Sequence, residues 1–122
     1  NLDMQEEMKF AALVANSHAE YDKLSAAEIL KLATEASAKA YGLSNAGKIQ
    51  EGCLADCILL NRNDLRLNPN HDIVSNWVYG TNSNAIDSVI CNGTFVMRNR
   101  HIDGEDDIVK EAERCAKELI AR

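Results

Sequence analysis

Several features that would commit a chain to a special class are scarce here. A single Pro and six Gly among 122 residues leave no stretch that reads as a linker, and no internal repeat is visible. No apolar run approaches the roughly 20 residues a bilayer span requires. The amino terminus shows neither the basic nor the apolar part of a secretory signal. Cations are outnumbered, with 13 Lys and Arg against 19 Asp and Glu for a net charge of -6. Phosphate contacts need clustered Lys and Arg, so neither nucleic acid nor a membrane is an expected partner. Position 1 is Asn rather than Met, so a native start is not evident. What is present is a 46% hydrophobic fraction with mixed charges, the composition of one soluble globular domain long enough to bury a core.

Cysteine is not scarce, but it is scattered. Cys53 and Cys57 meet zinc-ligand spacing once, and the second pair such a site needs is missing. Cys91 and Cys115 stand alone. Thiols in or beside apolar strands behave as small hydrophobes, so Cys53 and Cys57 are expected to be buried and reduced in a cytoplasmic protein.

The stretch Lys48 to Asn61 divides the chain. Its polar lead ends at Gly52, and the run Cys57 to Leu60, bounded by Asn-Arg-Asn-Asp, predicts a strand buried on both faces. Before it the pattern is helical. Asp3 and Glu6 make a capping box for a first helix with Met4, Met8, Ala11, Ala12 and Ala15 on one stripe. Phe10, Leu13 and Val14 widen that stripe, and Asn16-Ser17-His18 ends the helix. Ser25 and Glu28 form a second box, opening a helix that runs to Tyr41 and stops at Gly42. Its apolar face (Ile29, Leu32, Ala33, Ala36, Ala40) is small and suits close packing. Thr34, Glu35 and Ser37 fall on faces normally left to water.

After the dividing strand, Asn61 to Asn70 reads as a polar loop. Asp72 is the expected cap of a short amphipathic segment whose Trp77 and Tyr79 should anchor it to the sheet. His71 beside Asp72 has the composition of a catalytic pair, but neighbours on a turn rarely face each other. Asn92-Gly93 predicts a type I′ hairpin pairing Cys91 with Thr94, Ile90 with Phe95, Val89 with Val96 and Asp87 with Arg98. Asp103 is the expected cap of a last helix striped by Ile108, Val109, Ala112, Cys115, Ala116, Leu119 and Ile120. His18 falls in a polar loop with no second ligand near it in sequence, and His101 in the connecting loop with no visible partner. No nucleophile with a base, no framed carboxylate pair and no phosphate loop emerges. The residues alone support an α+β soluble domain without catalytic, cofactor-binding or metal-ligating residues.

Five blocks, in order, resemble the C-terminal end of metal-dependent amidohydrolases, in the branch holding chlorohydrolases and methylthioadenosine/S-adenosylhomocysteine deaminases. They are Asn1-Leu2-Asp3-Met4 with Glu6-Glu7-Met8; Ala33-Thr34 through Ala40-Tyr41-Gly42-Leu43; Gly47-Lys48-Ile49 through Gly52, Ala55-Asp56 and Ile58-Leu59; His71-Asp72 with Val74-Ser75 and Val78-Tyr79; and Val89-Ile90 with Asn92-Gly93 and Val96-Met97. The chain departs from the pattern at Ser37, Lys39, Asn45-Ala46, Cys53 and Cys57, all packing positions.

The resemblance implies terminal helices of a (β/α)8 barrel over 1–43, part of a composite β-sandwich over 44–102, and a closing helix over 103–122. It implies a hydrolase of the C–N or C–Cl bond of a nitrogen heterocycle, most simply a deaminase. Its zinc or iron would be held upstream of Asn1 and would activate the attacking water. None of His18, His71 or His101 matches a ligand position, so this chain is expected to hold no cofactor and to be inactive alone. A free-standing, non-catalytic interaction domain remains the alternative. In either case open strand edges and apolar helix faces should associate with the rest of the barrel or with a second copy, burying Met8, Phe10, Ile29 and Leu32.

Overall fold

The computed structural model describes residues 2–18 and 23–121, so Asn1 of the opening block lies outside the described residues. Helix α1 spans Met4–Ser17, and Asp3 caps it by accepting from the amides of Gln5 and Glu6. Helix α2 (Ala26–Lys31) starts at the expected capping box, with both halves formed between Ser25 and Glu28. It runs on through a widened π turn (Leu32–Ala36) into α3 (Ser37–Ala40). The Ser37 hydroxyl donates to the Leu32 carbonyl at 2.5 Å and the Thr34 hydroxyl to Leu30 at 2.8 Å. Such back-bonding competes with the regular ladder and accompanies the widening. Gly42, at φ 77, then closes the helix. Its amide donates to Lys39 and that of Leu43 to Ala38, the paired bonds of a Schellman stop.

Strands β1 (Cys57–Leu60), β2 (Ile86–Cys91) and β3 (Thr94–Met97) form an antiparallel sheet in the order β1-β2-β3. Between β1 and β2 lie a turn at Leu65–Leu67, the short helix α4 (Ile73–Ser75) and a second π turn, Asn76–Gly80. Asp72 caps α4 as expected.

The core is built from Met8, Ala12, Ala26, Ile29, Leu67, Trp77, Val78 and Ala85. It therefore lies between the helices and the connection that follows β1; the strands contribute only partly buried apolar residues, Leu60 and Ile86, packed against it. Full burial of side chains such as Ile29, Leu67 and Val78 stabilises by about 1.5–3 kcal/mol each.

Several expectations need correction. The run Cys57 to Leu60 is a strand, but Ile58 and Leu59 are exposed, because β1 is an edge and the described residues leave its flanks open. Helix α1 buries Gln5, Met8 and Ala12, while Met4, Phe10, Leu13 and Val14 stay in the open. Of the four residues expected to wait for a partner, Met8 and Ile29 are already buried within the chain; Phe10 and Leu32 are not. Trp77 is buried, yet its segment packs chiefly on α1 and α2 rather than on the sheet.

The hairpin forms at Asn92-Gly93 with φ values of 49 and 79, as a type I′ turn requires. Cys91 pairs with Thr94 and Ile90 with Phe95, but Val89 meets Met97. Val96 is the extra residue of a bulge, which cancels the expected Val89–Val96 and Asp87–Arg98 pairs. Arg98 lies over the Phe95 ring instead, 5.0 Å from its centroid. Helix α5 (Glu105–Ile120) starts from Gly104 in the left-handed region, with no side-chain cap, so Asp103 is not its cap. None of its residues is buried; Leu119 is 72% exposed.

The loop 44–56 is fastened at both ends. A Cβ on Gly47 would stand 2.7 Å from the Thr34 carbonyl oxygen and 2.8 Å from Glu35 Cα. At the far end, Gly93 donates its amide to the Ala55 carbonyl at 3.0 Å, and Asn92 donates its own to Asp56 at 2.6 Å. Three of the sequence blocks thus meet through backbone.

Gly47→Ala should be far more costly than Gly52→Ala. Both positions have positive φ, but nothing lies within 4 Å of a Cβ at Gly52. Backbone strain alone costs about 1 kcal/mol at Gly52, and the added overlap should bring Gly47→Ala to about 3 kcal/mol. Denaturant midpoints of the two variants measure the difference, and equal losses would refute the close approach.

Candidate functional site

The most developed polar site among the described residues stands at the amino end of α1. Gln5 occupies the buried stripe of that helix, three residues before Met8, and is only 3% exposed. Its Nε2 donates to the carbonyls of Trp77 at 2.9 Å and Val78 at 3.3 Å. Ser83, in a short 3-10 turn capped by Asn82, donates its hydroxyl to Asp3 Oδ1 in a short hydrogen bond. A cleft of about 370 Å3 opens there, lined by Asp3, Gln5, Glu6, Lys9, Thr81, Asn82, Ser83 and Asn84.

The Ser83 hydroxyl, chiefly, and the amides of Glu6 and Gln5 hold the Asp3 carboxyl below its ordinary range, against the opposing effect of burial. A carboxylate so stabilised is a weak base, and it cannot activate the serine that donates to it. The arrangement joins a helix start to a connection. It is an anchor, not a reacting centre.

The residues weighed from the sequence are not brought together. His71 is exposed, and Asp72 points its carboxylate into α4, where the Ser75 hydroxyl and then the Ser75 amide lower its pKa. His18 closes α1 as its exposed C-cap. His101 does have partners, contrary to expectation: Nδ1 lies 3.5 Å from Glu105 and Nε2 3.8 Å from Asp103. The tight Asn99-Arg100 turn, with both residues at positive φ, brings it to the start of α5. Thr34 and Ser37 turn their hydroxyls back on their own helix.

All four cysteines are free, but Cys91 and Cys115 are exposed and Cys53 and Cys57 only half-buried. The thin sheet and the open α5 leave them no interior to enter. Among the described residues no three His, Cys, Asp or Glu side chains converge as a metal site requires, so the donor set does not fit zinc or iron. No described helix is long and apolar enough to cross a membrane.

Gln5 and Ser83 were not singled out from the sequence. The one available signal was a polar residue on the apolar stripe of α1; nothing local ties Ser83 to a residue eighty positions away. A second, apolar cleft of about 620 Å3 lies between the helices and the sheet, bordered by Met4, Leu30, Ala33, Ile58, Trp77 and Ile90.

The Amidohydrolase family matches residues 1–96. The chain is 42% identical over its whole length to a 5'-deoxyadenosine deaminase of Methanospirillum hungatei JF-1, covering 27% of that protein. It is 37% identical, over 98% of its length, to 5-methylthioadenosine/S-adenosylhomocysteine deaminase 1 of Archaeoglobus fulgidus, covering 29% of it. Among solved structures it resembles a zinc-bound adenosine deaminase from Xanthomonas campestris, with a TM-score of 0.90 at 24% identity over 98% of this chain and 28% of the other. An atrazine chlorohydrolase from Arthrobacter aurescens TC1, complexed with zinc, gives a TM-score of 0.76 at 24% identity over 89% of this chain and 25% of the other. At that identity the two structures establish likeness of fold, mixed helices with a small antiparallel sheet. The chain spans less than a third of the length of the curated relatives named here.

Ser83→Ala should raise the Asp3 pKa toward its ordinary 3.8. The sign follows from linkage: a carboxyl with a depressed folded pKa stabilises above its unfolded pKa, and that contribution is lost as pH falls through the folded value. Acid unfolding of S83A should therefore lose the Asp3 contribution at a higher pH than wild type, below about pH 4 in both cases. An NMR titration of Asp3 unchanged by S83A would contradict the contact. Gln5→Leu strands the two carbonyls and should destabilise by about 1–3 kcal/mol in denaturant melts.

Proposed function

Because the chain belongs to the amidohydrolase family, we propose that it is the C-terminal portion of a metal-dependent hydrolase that deaminates adenosine-type nucleosides. The observation that carries this reading is the 42% identity, over the whole chain, with a 5'-deoxyadenosine deaminase. That similarity favours C–N over C–Cl cleavage, because the chlorohydrolase likeness stands at 24% identity. Helices α1 to α3 correspond in this reading to the end of a (β/α)8 barrel, and the three strands to part of a composite β-sandwich.

The described residues do not fit a zinc or iron ion, so the metal and the proton-transferring group are assigned to upstream parts of the enzyme. This chain's contribution is architectural. Asp3, Ser83 and Gln5 fasten the start of α1 to the connection before β2. The open apolar surface supports docking onto the rest of the barrel. Phe10 and Val14 are 56% and 63% exposed on α1, and among the described residues both outer strands leave an unpaired edge.

A second reading, a free-standing interaction module, draws on the buried cluster around Ile29 and Val78, which closes within the chain. The two readings diverge in a co-expression experiment. The chain alone should release no ammonia from 5'-deoxyadenosine or 5-methylthioadenosine. Together with the upstream barrel it should give metal-dependent release, abolished by a chelator. Phe10→Ser with Val14→Ser should weaken that assembly while leaving the chain's own circular dichroism intact. Light scattering that shows the chain as a compact monomer, with no affinity for the barrel, would support the module instead.

A further inference from the structure

We propose that Asn92-Gly93 is a latent site of spontaneous covalent modification, deamidation through a cyclic imide, which contacts from Ala55 and Asp56 hold shut in the folded protein. The reaction needs no partner but water. The Gly93 backbone nitrogen, once deprotonated, attacks the Asn92 side-chain carbonyl carbon. A bond forms between that nitrogen and Cγ, the Cγ–Nδ2 bond breaks, and ammonia leaves with the proton. Water then opens the ring at either carbonyl, giving aspartate or isoaspartate at position 92. Glycine is the residue that least obstructs the attack, and Asn92 is exposed at the tip of the hairpin.

Two contacts oppose the ring closure. The Gly93 N–H is committed to the Ala55 carbonyl at 3.0 Å, which holds both the proton and the direction of the attacking nitrogen. One residue earlier, the Asn92 N–H donates to Asp56 Oδ1 at 2.6 Å. That places a carboxylate on the amide one residue before the nitrogen that must become an anion, where negative charge is disfavoured. Asn92 and Gly93 also sit at φ 49 and 79, the backbone of the tight turn, and cyclisation requires them to leave it. Modification in the folded state must therefore wait for local opening of the hairpin, so its rate is the open-chain rate multiplied by the open fraction. Isoaspartate adds a carbon to the main chain inside a two-residue turn, so the β2–β3 register cannot close again as before. The site converts a transient opening of the β3 edge into a permanent mark.

The test incubates the intact protein in mildly alkaline buffer and follows position 92 by peptide mapping, which separates asparagine, aspartate and isoaspartate. Native protein should be modified more than about tenfold more slowly than the same protein in urea, since a charged hydrogen bond alone is worth about that factor. Folded Asp56→Ala should be modified at least about threefold faster than wild type, with Asp56→Asn, which keeps an acceptor but not the charge, falling between them. The Gly93 amide should be protected from hydrogen exchange in wild type and less so in D56A. Native modification within tenfold of the urea rate would overturn the proposal. So would folded D56A or D56N no faster than wild type. If both variants unfold, the native-against-urea rates and Gly93 exchange in wild type decide alone.

Discussion

The amide of Gln5 supplies the polar contact between two parts of the chain that also share the apolar core. The connection after β1 becomes a π turn at Asn76–Gly80, and its buried backbone carbonyls need hydrogen-bond donors. Trp77 and Val78 are buried, so water cannot supply the missing donors. Gln5 supplies them from the buried face of α1. Once that contact is made, Met8 and Ala12 face the same connection, and Ile29 closes the core from α2. The Ser83–Asp3 bond fastens the same junction at its rim.

A second fastening links the helices to the sheet. The loop 44–56 lays Gly47 against the π turn at Thr34 and its other end against the hairpin tip. Sequence blocks that look independent in one dimension are thereby the two halves of single contacts. Gly47 belongs with Ala33-Thr34, and Ala55-Asp56 with Asn92-Gly93. The glycine at 47 is required twice, for its φ of 80 and for the missing Cβ.

Around this frame much apolar surface stays open. Phe10, Leu13 and Val14 on α1, both edges of the sheet and the whole stripe of α5 have no cover among the described residues. These faces stay bare although no buried side-chain donor or acceptor is left unpaired among the described residues. The chain matches less than a third of the length of the two deaminases named above.

Local chemistry was enough to determine the helix starts at Asp3 and Ser25, the stop at Gly42, the cap at Asp72 and the Asn92-Gly93 turn. Each depends on residues within a few positions of one another, whose backbone hydrogen-bonding needs can be read directly. The order of blocks likewise determined the family. What lay beyond the sequence were quantities set by distant neighbours. The bulge at Val96 moves Met97 opposite Val89, and no turn rule specifies it. Whether Ile58 or Leu119 is buried depends on what lies over it, and periodicity reports only that a residue suits burial. The anchor of Asp3, Gln5, Ser83 and the Trp77 and Val78 carbonyls joins residues more than seventy positions apart. Only the tertiary structure could assemble it, because its reason for existing, two buried carbonyls without donors, arises only after the chain has folded.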